Sequence, residues 1–164
     1  SLNKFKATIF NNDIATSIGE LKSVSFDHVF MNPPYFKKNS VKKSPIRSSN
    51  QAKIETVPLT EWFSVAKKRC KPKGKVTIIQ RVERLPEIME CLSGRFGQIT
   101  VQPINSFKDV SPKTVIVQAT KSSSAAFTLL APKTVHRRDT VSGKVVYEDE
   151  LKKVLRSGYP LLLN

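Results

Sequence analysis

The chain has 164 residues, with 28 Lys+Arg against 13 Asp+Glu and a formal net charge of +15. At 39% hydrophobic and 25% charged, with six glycines, it has the composition of one globular domain, which excludes collagen-like, low-complexity and wholly disordered chains. No apolar run approaches the roughly 20 residues of a membrane span, no segment is built like a signal peptide, and Cys70 and Cys91 are too few for a disulfide framework and lack zinc-ligand spacing. The expectation is a soluble cytoplasmic protein with no membrane partner and no metal. A positive excess of this size points to a polyanion as partner.

Residues 6–10 (KATIF) have the pattern of a short strand, ended by Asn11, Asn12 and Asp13. Residues 26–31 (FDHVFM) predict a second strand, apolar enough to be covered on both faces as in a parallel sheet. Pro33 and Pro34 must end it, because neither donates to a ladder. From 37 to 53 there are six basic residues, Lys37, Lys38, Lys42, Lys43, Arg47 and Lys53, and no acid. Ser, Asn, Gln and Pro45 fill the gaps, which predicts a mobile surface loop. Such a loop either docks on phosphates, with salt-sensitive and largely sequence-blind affinity, or is a solvated linker.

Residues 58–70 predict a helix, with Leu59, Trp62, Phe63 and Ala66 on one face and a basic C-terminal end. A second basic run follows in Lys67, Lys68, Arg69, Lys71, Lys73 and Lys75. Residues 71–74 (KPKG) predict a turn and 75–80 (KVTIIQ) a β-branched strand. Residues 84–92 predict a helix that tolerates Pro86 in its first turn and closes at Ser93-Gly94. Strands are expected at 98–102 and 114–119, with weaker candidates at 127–130 and Val135. A turn at Ser142-Gly143 and a final helix over 148–155 complete the reading. This alternation predicts an α/β layered sheet in one domain over residues 1–164.

Asn32-Pro33-Pro34-Tyr35 carries the chemistry. It follows a buried strand, and ligands of open α/β sheets bind beyond the carboxyl ends of the strands. Asn32 offers an amide acceptor. The Pro33 carbonyl is expected to be free, since proline has no N–H to tie it into structure. Tyr35 offers a face on which a purine can stack, worth about 1–3 kcal/mol. Two acceptors on one exocyclic amine favour its pyramidal form and aim its lone pair at an electrophile, which is positioning rather than covalent catalysis. A base must leave its stack to enter.

Residues 26–36 (FDHVFMNPPYF) resemble motif IV of the S-adenosylmethionine-dependent adenine-N6 methyltransferases, in particular the alphaproteobacterial form of the group that modifies the adenine beside the anticodon of valine tRNA. Ala52, Glu55, Pro58, Leu59 and Trp62 fit that family's segment after the basic loop. Residues 71–74 resemble its LKPGG turn, 80–86 (QRVERLP) its HRAERLP stretch, and 113–119 its final antiparallel strand. Asn11-Asn12-Asp13 resembles the acidic turn that holds the cofactor's adenine end. The resemblance implies a Rossmann-like class I methyltransferase sheet and methyl transfer from S-adenosylmethionine to N6 of adenine in tRNA. Asn32, Pro33, Pro34 and Tyr35 would be the catalytic set, and Asp13 and Asn32 would face the cofactor. Phe36, Lys37, Lys38, Lys42, Lys43 and Arg47 would contact substrate. Arg81 and Glu83 take no assigned role.

The family's opening strand with its D-x-G-x-G-x-G loop has no counterpart among Gly19, Gly74, Gly94, Gly97, Gly143 and Gly158. In the family's strand order, 3-2-1-4-5-7-6, the chain starts near strand 3. The expectation is therefore a C-terminal, substrate-side part of a methyltransferase, with residues 26–31 as an exposed edge open to self-association. Two alternatives stand beside it: a basic RNA-binding module of the same fold without cofactor binding, and a glutamine methyltransferase acting on protein. Of the remaining residues, His28 and Trp62 are expected in core or half-buried packing, Cys70 and Cys91 as small apolar fillers, and His136 at the surface beside Arg137 and Arg138.

Overall fold

The computed structural model describes residues 6–14, 16, 19–37, 54–55 and 57–163. Its main sheet begins with β1 (Phe26–Met31), which lies parallel to β4 (Cys70–Arg81). On the other side of β4 runs β6 (Thr114–Lys121), antiparallel to β4 and to β5 (Phe96–Asn105). The order β1-β4-β6-β5 reproduces the 4-5-7-6 part of the order that the resemblance implies. Two short strands, β7 (Thr128–Leu129) and β8 (Lys133–Thr134), extend it by pairing parallel to β5.

Two helices close the connections. The first, α1 (Leu59–Arg69), enters β4 directly, and α2 (Leu85–Leu92) joins β4 to β5. Pro86 sits in the first turn of α2, where its missing N–H costs nothing. Leu59, Phe63 and Ala66 of α1 and Ile88 and Leu92 of α2 are buried in one cluster with Val76, Ile78, Val101, Val115 and Val117 of the sheet. Leu59 and Ile88 are wholly excluded from solvent, so truncating either to Ala costs about 2–5 kcal/mol.

The other face of the sheet mixes polar and apolar side chains, with Ile79 paired to Ile116 on it and Thr77 buried. By register it carries His28 and Phe30 of β1, Lys75 and Thr77 of β4, and Gln118 of β6. His28 Nε2 and Thr77 Oγ1 are 2.7 Å apart, and Gln118 Nε2 donates to the same hydroxyl at 3.1 Å. Phe30 is 65% exposed. The expectation that β1 is covered on both faces is thus corrected. Among the described residues it is an edge strand with only Met31 buried. His28, expected in core or half-buried packing, is exposed as a residue, while its ring is partly covered where Nε2 meets Thr77 Oγ1.

Two further expectations change. Residues 6–10 form no strand. Their side chains are exposed, Ile9 at 89%, and no described strand pairs with them to take up their backbone groups. Residues 71–74 form no turn between elements, because β4 runs through them. Phe26 pairs with Cys70 and His28 with Lys75, so β4 absorbs its extra residues as a bulge, with Lys73 at φ 62°. Gly74 is required there, since a Cβ would stand 2.9 Å from the Asp27 carbonyl oxygen.

The remaining sequence ends as a small antiparallel hairpin, β9 (His136–Arg138) and β10 (Val145–Tyr147), followed by α3 (Asp149–Ser157). Its tight turn is closed by Asp139, whose carboxylate accepts from Ser142 N at 2.7 Å. Short parallel pairing also joins β2 (Phe36–Lys37) to β3 (Ile54–Glu55), so the two ends of the basic stretch leave from one place. No described helix is long and apolar enough to cross a membrane.

Candidate active site at the carboxyl end of β1

The ladder between β1 and β4 runs to Met31↔Ile78 and ends there, as the two donorless prolines require. Beyond it Asn32 is exposed, Pro33 is buried, and Pro34 and Tyr35 are half-buried. Asn32 thus presents a solvent-facing amide on a rigid base, and β2 begins immediately after Tyr35.

Gln80, near the end of β4, reaches across to this turn. Its side chain is fully buried. Its Nε2 donates to the Pro34 carbonyl at 3.2 Å and to the Pro33 carbonyl at 3.4 Å. Its Oε1 accepts from the Arg81 backbone N–H at 2.9 Å. The expectation of a free Pro33 carbonyl is therefore corrected. A carbonyl oxygen has two lone pairs and the long bond from Gln80 takes one, but Pro33 is buried, so the second does not face solvent. Gln80 took no role in the sequence reading. The available signal was a polar residue closing the β-branched run 75–80, a position the strand pattern makes buried.

Beside Gln80, Arg81 and Glu83 form a two-pronged pair at 3.2 and 3.1 Å. The Arg81 guanidinium holds the Glu83 carboxyl below its usual range. Asp13 lies exposed in the segment before β1, and its carbonyl accepts from Thr16 N and Oγ1 at 3.1 and 3.0 Å. The side chains of Phe36 and Lys37, and all of Lys38, Lys42, Lys43, Arg47 and Lys53, lie outside the described residues. So does the expected mobility of that loop.

Three of the six cations of the second basic run are engaged within the fold. Arg69 Nη1 donates to the carbonyls of Leu21, Lys22 and Val24. Lys71 Nζ lies 2.9 Å from both Asp27 oxygens, and Lys73 donates to the Ser122 carbonyl at 2.8 Å. Hydrogen bonding and charge from Lys71 hold the Asp27 carboxyl below its ordinary value. As a free phosphate-binding surface this run fails at three of its cations.

Other singled-out residues fall as follows. Burial pushes the pKa of His28 down, helped by Lys75. Burial also pushes both thiols up, Cys70 in the core and Cys91 half-buried against it. Trp62 is half-buried on the core cluster. His136 is half-buried rather than on the surface, with ring centroids 5.0 Å from Tyr147 and 5.8 Å from Phe107. A cavity of about 620 Å³ opens between the end of β5, β8 and the start of α3. None of Asn32–Tyr35 lines it, so it is separate from the turn described above.

Among solved structures, the chain is similar to a predicted O-methyltransferase from Agrobacterium tumefaciens, with TM-score 0.65 and 21% identity, covering 88% of this chain and 60% of that one. Weaker likenesses are to a chain of the type I R-M system (TM-score 0.48, 17% identity, 84% of this chain and 29% of that one) and to M1.HpyAVI (0.44, 14%, 78% and 68%). No family model and no curated protein matches. The chain spans 60% of the length of the Agrobacterium structure, and over that span its mixed α/β sheet has the same Rossmann-like fold.

Proposed function

We propose that this chain is the base-binding side of an enzyme that transfers a methyl group from S-adenosylmethionine to the N6 amine of adenine in tRNA. The observation that carries the proposal is an exposed Asn32 at the carboxyl end of β1, followed by a donorless Pro33-Pro34 turn anchored from β4 and by a half-buried Tyr35. Asn32 Oδ1 and, once entry of the base uncovers it, the remaining lone pair of the Pro33 carbonyl would take the two amine hydrogens of one flipped base. The Tyr35 ring would carry its face. Drawing on both hydrogens turns the nitrogen lone pair outward, and holding it there replaces a bimolecular search by a fixed approach. S-adenosylmethionine, when bound, supplies the electrophilic methyl group; Asp13 and Asn32 are the residues of this chain that would face it. Support for a nucleic-acid substrate is the net charge of +15 and the acid-free basic stretch directly after the turn.

The experiment is nucleoside mass spectrometry of unmodified tRNA incubated with S-adenosylmethionine and the protein expressed from its complete reading frame. N6-methyladenosine is the expected product. Methylated glutamine in a protein substrate, with unmodified tRNA, overturns the reading.

One sequence feature favours a second reading, an RNA-binding module without cofactor binding. None of the six glycines frames a loop of the D-x-G-x-G-x-G type. Calorimetry separates the two. The 164-residue chain alone is expected to bind S-adenosylmethionine more weakly than micromolar, whereas the complete reading frame binds it if the enzyme reading holds and does not if the second reading holds.

A further inference from the structure

We propose that Gln80 is the positioning residue of the Asn32–Tyr35 turn, setting the peptide planes after Pro33 and Pro34 and through them the placement of Asn32 and Tyr35. The proposal rests on the functional reading above for what the turn does, but on geometry alone for how it is held. Pro33 and Pro34 have no N–H, so this stretch can be held by backbone hydrogen bonds only as an acceptor. The donor must come from elsewhere, and Gln80 supplies it from the neighbouring strand, with one amide nitrogen serving both carbonyls.

The orientation of that amide is not arbitrary. Its oxygen is taken by the Arg81 backbone N–H at 2.9 Å. That contact forces the NH₂ group, and not the oxygen, toward the prolines. The Gln80 side chain and Pro33 are both fully buried, so losing the donor leaves the Pro33 carbonyl with no solvent partner to replace it. A polar residue of this length, donating at one end and accepting at the other, is what the site uses. Met has the same length and no donor; Glu has the same shape and presents acceptors to acceptors.

The test uses Q80M and Q80E in two measurements. The first is the NMR order parameter of the backbone N–H of Tyr35, the first N–H after the two prolines. It should fall from the rigid range, about 0.85, to below about 0.6 in Q80M and further in Q80E, while Val101 in β5 and Val117 in β6 keep wild-type values, because loosening of the turn is local. The second is methyl transfer to tRNA by the protein of the complete reading frame. There Q80M should lower kcat by on the order of 100-fold with KM for tRNA nearly unchanged, as expected for a misplaced clamp. If Gln80 merely fills space, Q80M is tolerated, since the swap conserves volume. An unchanged order parameter at Tyr35 overturns the proposal whatever the activity. Wild-type protein that leaves tRNA unmodified overturns the functional reading instead, and the order at Tyr35 then still decides what Gln80 does.

Discussion

The Arg69 guanidinium lies 2.8 Å from the carbonyl oxygen of Leu21 and also reaches the carbonyls of Lys22 and Val24. One side chain from the last turn of α1 thus gathers the carbonyls of the segment that feeds β1. Its charge is spent inside the fold, although the sequence presents it in the middle of a basic run.

Arg69→Met should therefore lower folding stability by about 1–3 kcal/mol, the range for lost hydrogen bonds to a charged donor. RNA affinity and its salt dependence should stay as in wild type. Urea unfolding paired with binding titrations at several salt concentrations checks both halves. A drop in affinity with unchanged stability would return Arg69 to the nucleic-acid surface.

The charges that follow the turn should behave in the opposite way. Substituting Lys42→Gln and Lys43→Gln together should weaken binding to all RNA sequences and reduce the salt slope by about one unit per charge removed. Sequence preference should hardly move, because phosphate contacts do not read bases. Equal slopes for the pair and wild type would reduce the stretch to a solvated linker.

His28 gives the fold a pH dependence. Its folded pKa lies below the ordinary 6.5, chiefly because burial disfavours the charged ring and secondly because Lys75 repels it. The stabilising contribution of the neutral ring is complete above 6.5 and is lost as pH falls through the lowered folded value. His28→Gln, which can keep a hydrogen bond to Thr77, should lose less stability than wild type on acidification from about pH 7 to about pH 5. Thermal unfolding across that range measures it, and parallel curves would remove His28 as the cause.

Much of the architecture was legible because it rests on local pattern. Leu59, Phe63 and Ala66 mark the buried stripe of α1, and the apolar run ending at Pro33 marks the end of β1. What was not legible depends on pairing. Residues 6–10 have strand composition but no described neighbour to bond with. Residues 71–74 have turn composition, yet β4 carries them as a bulge because β1 continues alongside. The same holds in the candidate site. Asn32, Pro33, Pro34 and Tyr35 announce themselves by residue type, whereas Gln80 matters only because the register sets it beside two carbonyls 46 and 47 positions away. His28 is more exposed than expected for a related reason: alternation gave its side of the strand, but not that no described strand lies beyond β1.

Tyr35 should contribute by its face rather than its hydroxyl. Tyr35→Phe should keep transfer near wild type, and Tyr35→Ala should lower it by up to about 100-fold, since a lost base stack is worth about 1–3 kcal/mol. Tyr35→Asp should be worse than Tyr35→Ala, because it adds a desolvated charge against the base. Single-turnover rates on one tRNA order the three variants, and a Phe variant as poor as the Ala variant would contradict stacking.

The central claim is that Asn32 holds the amine that receives the methyl group. Its most direct test compares wild type and Asn32→Ala, expressed from the complete reading frame, for N6-methyladenosine formed in tRNA and for tRNA affinity. The account predicts that the modified nucleoside disappears in Asn32→Ala while affinity, supplied mainly by phosphate contacts, stays within a few-fold of wild type. Equal N6-methyladenosine in the two proteins would contradict it.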